Sequence, residues 1–257
     1  MAHLRAGLRL FAFAVWTACA FAAWSVTRAA ALVSRRAAER SHAALLRLWA
    51  RGVARLLGMR VEIEGTPPQG AFFLVSNHLS YLDVFALWTA VEGTFLSKAE
   101  IAHWPVIGAL ARAVGTLFVT REKRLAVGPV VDRLCAELAR GRGVIVFPEG
   151  TSSRGETVLP FRTSMFAAAL RSGVPVRVVA LRYEAPAGVP PASRSLCWWG
   201  DMEFLPHFLG VFQLPGFRVR LTFGPEVVPS DDRKRLAHAA HSATLAVFEP
   251  SSIGTES

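Results

Sequence analysis

From residue 58 onward, short apolar runs alternate with longer segments that are apolar on one side only, the pattern of strands and helices in turn. Met59 to Glu64 alternates apolar and polar positions and predicts a strand, Thr66 to Gly70 a turn, and Ala71 to Val75 a short buried strand. A helix is expected over Tyr81 to Ala90 and a strand at Phe95 to Ser97, leading to Lys98. A helix over Pro105 to Val114, stopped by Gly115, precedes a strand from Thr116 to Val119. Leu125 to Arg140 predicts a helix closed by Gly141 and Gly143, and Val144 to Phe147 a compact strand before the loop Pro148 to Gly155. Then come a helix over Ser164 to Leu170, a strand over Val174 to Tyr183 and a proline-broken stretch reaching Trp198-Trp199-Gly200. A strand at Phe217 to Phe223 and a helix over Asp231 to Phe248, opened by Ser230 as N-cap, complete the pattern. Such alternation predicts an α/β domain with a mixed, largely buried β-sheet flanked by helices.

The first 57 residues follow a different rule. Leu10 to Val26 carries no charge, with Arg5 and Arg9 before it and Arg28, Arg35 and Arg36 after it. Its 17 residues reach the lower limit for a membrane-spanning helix, and Trp16 and Trp24 are placed to sit at a membrane interface. The small residues around Cys19 also allow a cleaved signal peptide. Between Ala37 and Leu57 the pattern becomes two-sided: Arg47, Arg51 and Arg55 recur every fourth residue, as do Leu45, Trp49, Val53 and Leu57 on another face. This predicts an amphipathic basic helix, either laid on anionic lipid or packed on the domain, and ended by Gly58. The expected division is an anchor and amphipathic helix over 1–57, an α/β domain over 58–248, and a disordered tail over 249–257.

Composition narrows the partners. A formal charge of +10 calls for an anionic partner, and 52% hydrophobic residues favour a lipid surface over nucleic acid. The excess of Arg after the apolar segment places the main domain on the cytoplasmic side of the inner membrane. Three widely spaced cysteines, without CxxC pairs, indicate neither a disulfide framework nor a metal site.

The candidate chemistry gathers at predicted strand ends. Asn77-His78 follows the buried strand, and Asp83 lies five residues after His78, within reach if a helix starts near Ser80. A carboxylate bonded to one imidazole nitrogen sets the tautomer and leaves the other nitrogen free as a general base. The spacing alone is also common by chance. In Phe147-Pro148-Glu149-Gly150-Thr151-Ser152-Ser153-Arg154-Gly155, glycines allow close backbone approach, hydroxyls add donors, and Arg154 and nearby Arg162 add charge suited to an anionic oxygen. The same composition also occurs in ordinary connections. Gly115 to Arg121 reads equally as a helix stop, a strand and a solvated Arg.

Together these residues resemble the glycerolipid acyltransferase family, best known for 1-acylglycerol-3-phosphate acyltransferases. Asn77-His78 to Asp83 stands as the family's first motif, Gly115, Phe118 and Arg121 as its second, Phe147 to Thr151 as its third, and Val174-Pro175-Val176 as its fourth. The resemblance implies transfer of a fatty acyl group from an acyl-CoA or acyl-carrier-protein thioester to a hydroxyl of 1-acyl-glycerol-3-phosphate in membrane phospholipid synthesis. His78 would be the base and Asp83 its orienting group. It further implies that Arg121 and Lys98 clamp the acceptor's phosphate, that Glu149, Gly150 and Thr151 position its polar backbone, and that Asn77, Gly115, Phe118 and Arg154 complete the acceptor site. No metal or cofactor is implied, because a thioester is already activated. One departure stands out: many phosphatidate-forming members carry Arg where this chain has Ser152. With Val158 to Arg162 and Trp198 to Met202, this looks more like the bacterial branch that includes lyso-ornithine lipid acyltransferases.

Other classes fit less well. A hydrolase would want a Gly-x-Ser-x-Gly elbow, which is absent, as are the glycine-rich nucleotide loops. A non-catalytic lipid-binding protein would explain the anchor and the Arg row but leave the His/Asp pair without a purpose.

Overall fold

The structure, a computed structural model, describes residues 1–30, 32, 34–105, 107–119, 127–228 and 230–251. Two long helices come first, α1 (Ala2–Ala30) and α2 (Arg35–Leu57). The domain then runs β1 (Met59–Glu64), β2 (Phe73–Ser76), α3 (Leu82–Ala90), β3 (Gly93–Lys98), a 3-10 turn (Ala99–His103), α4 (Ile107–Ala113) and β4 (Leu117–Val119). It continues with α5 (Val127–Ala139), β5 (Gly143–Val146), α6 (Phe166–Ser172), β6 (Val176–Glu184), α7 (Ala192–Ser195), α8 (Phe204–Gln213), β7 (Phe217–Val227) and α9 (Arg233–Ala246).

Seven strands form one sheet in the order β1-β7-β6-β2-β5-β3-β4. β6, β2, β5, β3 and β4 are parallel, whereas β7 runs antiparallel to β6 and carries β1 in parallel with itself. The sheet is mixed, as its sequence pattern predicts. Because side chains alternate across a strand, β2 sends Phe73 and Val75 to one face and Leu74 to the other. The first face packs on α5, α6 and α9; the second on α2, α3 and α8, each layer excluding water from one side of the strands.

The N-terminal pair is tied into this architecture. The Leu/Trp side of α2 is buried, with Trp49, Val53 and Leu57 at 3%, 0% and 2% exposure, in the same core as Leu74 and Leu87. Of the two placements open to the amphipathic helix, its apolar face takes the one against the domain. α1 folds back on α2: Trp16 Nε1 donates to the Trp49 carbonyl at 3.1 Å, and Trp49 Nε1 donates to Thr17 Oγ1 at 3.2 Å. The helices meet at Gly52, where a Cβ would fall 2.2 Å from the Trp16 indole nitrogen. Trp24 is buried at this contact rather than standing at a membrane interface, because the hairpin offers it aromatic neighbours in Trp49 and Phe21. Arg9 donates to the carbonyls of Leu214 at 2.6 Å and Phe212 at 3.4 Å, and Arg5 to that of Gln213. These guanidinium groups meet the negative end of the α8 dipole. The opposite stripe of α1, with Leu4, Leu8, Phe11 and Val15, is exposed. Ala2–Thr27 is long and apolar enough to cross a membrane, and its outer stripe suits membrane association.

Three further expectations change. Residues after Gly200, given no element by the sequence pattern, hold α8, which has Pro206 in its first turn, where a missing N–H costs nothing. α9 is capped by Asp232, whose carboxylate accepts from the N–H groups of Lys234 and Arg235 at 2.8 Å each, while Ser230 bonds to Asp232. The tail expected to be disordered from 249 is held at its start. Glu249 pairs with Arg182 and Arg220, and Ser251 is buried at 2% exposure, its N–H donating to Gly155 O at 2.9 Å. Residues 252–257 lie outside the described residues.

Candidate active site

The carboxyl ends of the parallel strands bring the predicted chemistry together, as expected for an open α/β sheet. β2 delivers Asn77 and His78, β3 ends on Lys98, β4 ends at Val119, and β5 leads through Phe147 into Glu149. Arg121 falls outside the described residues.

After Ser76 the chain leaves β2 and turns into α3, whose first turn holds Asp83. Asp83 Oδ2 lies 2.7 Å from His78 Nδ1 and accepts the N–H groups of Leu79 at 2.8 Å and Ser80 at 3.0 Å. Asp83 Oδ1 accepts the hydroxyl of Tyr183 at 2.7 Å. Both residues are fully buried. Burial, reinforced by the charge of Asp83, holds the Tyr183 phenol well above its usual range, so the hydroxyl stays a donor. His78 stacks on Phe147 with ring centroids 4.1 Å apart and planes 14° apart, and Phe147 stacks in turn on Phe95. The imidazole is thus fixed by a hydrogen bond at one edge and an aromatic face below. Its Nε2 has no hydrogen-bond partner among the described residues, and its side chain keeps 23% exposure. The arrangement can take a proton from a group entering the cleft.

Asn77, expected at the acceptor, points elsewhere. It is fully buried, and its amide accepts from Leu181 N at 2.7 Å while donating to Leu181 O at 3.0 Å. Ladder pairing between β2 and β6 stops at Ser76 and Val179. The Asn77 side chain therefore continues the β6 ladder after the β2 backbone has turned away. Next along β6, Tyr183 N donates to Ser251 Oγ at 3.1 Å.

The loop after β5 is stitched to the histidine turn. Ser153 N donates to His78 O at 2.9 Å, and Trp198 N donates to Leu79 O at 2.8 Å. The Ser152 hydroxyl donates to Trp198 O, closing the ring of three segments. Glu149 is buried at 4% exposure; its Oε1 accepts Leu159 N at 3.1 Å, and its Oε2 has no partner among the described residues. Burial pushes Glu149 up to about 8, offset in part by the backbone N–H groups of Leu159 and His78 and reinforced by the charge of Asp83. Gly150 has φ of +76°, and a Cβ there would meet Arg162 Nε at 2.7 Å. Thr151 is exposed. Arg154 turns away from the histidine to pair with Glu156 at 2.6 Å and to lie over Trp199 at 5.8 Å from the ring centroid.

Beside this loop lies a pocket of about 130 Å³ lined by Ser97, Val119, Phe147, Gly150, Arg162 and Ser164, with apolar neighbours. Gly115, with φ of +81°, releases the chain from α4 into β4, where Phe118 stands level with Ser97. Lys98 is exposed at the end of β3, level with Val119. Val119, next to Phe118 of the second motif, lines this pocket, whereas Gly115, Phe118 and Arg154 are not among its lining residues. His207 of α8 packs edge-on against Tyr81; its Nδ1 lies 3.0 Å from the Tyr81 hydroxyl, and burial pushes it down to about 4.

The sequence reading missed Tyr183, Ser251 and Trp198. Tyr183 was visible as one of two tyrosines, polar at its tip within an apolar strand. Trp198 stood out only within the stretch that resembles the lyso-ornithine branch, and nothing local marked Ser251.

Comparison with known proteins agrees with this geometry. Residues 59–182 match the family described as acyltransferase. The chain is 38% identical over 196 residues to a lyso-ornithine lipid O-acyltransferase of Rhodobacter capsulatus, covering 73% of this chain and 70% of that protein. It is 34% identical to the protein of the same name from Brucella abortus, covering 79% and 81%. A 1-acyl-sn-glycerol-3-phosphate acyltransferase of Neisseria meningitidis is 32% identical, covering 77% and 78%. The crystal structure of the 1-acyl-sn-glycerophosphate acyltransferase PlsC from Thermotoga maritima superimposes with a TM-score of 0.67 at 21% identity, covering 95% of this chain and 96% of that one, and shares the fold.

Proposed function

The chain belongs to the acyltransferase family and is a lysolipid-type acyltransferase, and on that premise we propose that His78 is the general base and Asp83 its orienting group. In this reading the acceptor hydroxyl approaches Nε2 of His78. As its oxygen attacks the thioester carbonyl carbon, the proton passes to Nε2 and Asp83 steadies the imidazolium. Collapse of the tetrahedral intermediate breaks the C–S bond, and the proton leaves with the thiolate of coenzyme A or acyl carrier protein. Such general-base assistance contributes ~10² to 10⁴ in rate. The thioester is already activated, so this transfer needs no metal or bound cofactor. The observation that carries the reading is the 2.7 Å bond between His78 Nδ1 and a fully buried Asp83, with the other ring nitrogen left to the cleft.

For the acceptor we propose lyso-ornithine lipid. Ser152 holds the Trp198 carbonyl, and Arg154 is paired with Glu156, so neither residue after Thr151 offers an uncommitted cation to a phosphate. Among the described residues lining the pocket, the cation is Arg162, against Gly150. That cation favours the second reading, 1-acyl-glycerol-3-phosphate, with Lys98 and Arg121 completing the clamp. The domain would work on the cytoplasmic face of the inner membrane, with α1 toward anionic lipid, following the Arg excess after its apolar segment.

The test supplies purified full-length protein with labelled acyl-CoA or acyl carrier protein and a panel of lysolipids. Acylated ornithine lipid is expected as the main product, with loss of all transfer in His78→Ala. Faster formation of phosphatidate would move the assignment to the second reading, and unchanged transfer by His78→Ala would defeat the base.

A further inference from the structure

We propose that Tyr183 is a positioning residue of the acyl transfer, setting the carboxylate of Asp83 through its second oxygen. The inference rests on the reading of His78 as base. Asp83 has no contact with solvent, so every hydrogen bond its carboxylate requires must come from the protein. Three donors converge on Oδ2: His78 Nδ1 and the N–H groups of Leu79 and Ser80. All three lie within five residues of Asp83 and belong to the same turn. Among the described residues Oδ1 has one donor, the Tyr183 hydroxyl at 2.7 Å, from a strand 100 residues away.

This asymmetry assigns Tyr183 its role. Donors on Oδ2 alone would let the carboxyl group swing about its terminal torsion, which is broad for Asp. The phenol, at the end of a rigid and fully buried ring, fixes Oδ1 and with it the plane that Oδ2 presents to His78. The ring is itself held from behind. Tyr183 N donates to Ser251 Oγ, and the preceding Leu181 is clamped at N–H and C=O by Asn77, the neighbour of His78. Base, carboxylate and phenol therefore form a closed loop through two strands.

Removing only the hydroxyl in Tyr183→Phe leaves Oδ1 buried without a partner. Transfer by the full-length enzyme is expected to lose about tenfold in kcat, with KM for both substrates within about twofold, the pattern of a group that serves the transition state. In an Asp83→Asn background the same change is expected to cost almost nothing further, because the carboxylate it positions is gone. Tyr81 and Tyr183 are the two tyrosines of the chain, so ring-labelled tyrosine gives two NMR signals, assigned with Tyr81→Phe. The Tyr183 Cζ signal is expected to move in Asp83→Asn.

A Tyr183→Phe enzyme with wild-type kcat, or one losing the same factor in both backgrounds, would overturn the proposal. If Tyr183→Phe does not fold, the labelled protein decides, and a Tyr183 signal unmoved by Asp83→Asn overturns it. The two readings separate cleanly. Inactive His78→Ala with unimpaired Tyr183→Phe defeats Tyr183 alone, whereas active His78→Ala defeats the base and Tyr183 with it.

Discussion

Asp83 and Glu149 are two carboxyl groups buried at the same sheet edge, 0% and 4% exposed, yet Asp83 is bonded on both oxygens and Glu149 on Oε1 alone. The turn after β2 supplies Asp83 with two backbone N–H groups, an imidazole and a phenol. The loop after β5 supplies Glu149 Oε1 with the Leu159 N–H, and Oε2 has no partner among the described residues. A buried carboxyl group short of donors holds its proton, and burial pushes Glu149 up to about 8. Near neutral pH it is then mainly protonated. The comparison separates two kinds of preorganisation. One carboxyl group is bonded on both oxygens and holds the His78 imidazole, while the other keeps an oxygen without a partner among the described residues.

The largest test of that difference breaks each group isosterically. Asp83→Asn is expected to lower kcat by ~10² to 10⁴, because the amide cannot steady an imidazolium. Glu149→Gln, which keeps a donor, is expected to stay within about tenfold of the parent at neutral pH, since one neutral hydrogen bond is exchanged for another. Acyl transfer from a labelled thioester measures both, and an equal loss would erase the distinction.

A smaller effect is expected at the strap that joins the two regions. Ser251 Oγ receives Tyr183 N, and Ser251 N reaches Gly155 at the end of the β5 loop. Ser251→Ala leaves a buried N–H without its acceptor, an effect of ~1–3 kcal/mol, read as a lowered Tm. No change in Tm would mean that another acceptor replaces it.

The comparison also predicts a pH dependence. Glu149 binds its proton more tightly folded, up to about 8, than unfolded, at 4.5. Its contribution is complete below the unfolded value and is lost as pH rises toward 8, so stability falls across that window. Glu149→Gln removes the titration and is expected to flatten the decline, as thermal melts at pH 5, 6.5 and 8 would show. A parallel decline in both proteins would place the titration elsewhere.

How far the sequence alone reaches differs between these regions. The His78–Asp83 bond was legible because it spans one turn, where five-residue spacing nearly dictates the distance. The strands β2 and β5 were legible from short apolar runs. α8 was hidden by the prolines around it, and α1 was longer than its uncharged stretch because Arg5 and Arg9 find carbonyl partners on α8. Gly150 announced a tight loop, but that its missing Cβ makes room for Arg162 depended on how the loop folds back.

By itself, the sequence determined the alternation of strands and helices, the mixed sheet, the apolar N-terminal helix and the pairing of His78 with Asp83. These follow from side-chain periodicity and from contacts within a single turn. Only the tertiary structure decided that Asn77 serves Leu181 and not the cleft, that Ser152 serves Trp198, that Tyr183 completes Asp83, and that Ser251 closes over both. Those partners stand 104, 46 and 100 residues apart for the first three, and the last joins the chain's end to its middle. Unmet hydrogen bonds of buried groups selected them once the sheet was assembled, and no local spacing encodes which distant residue will be there.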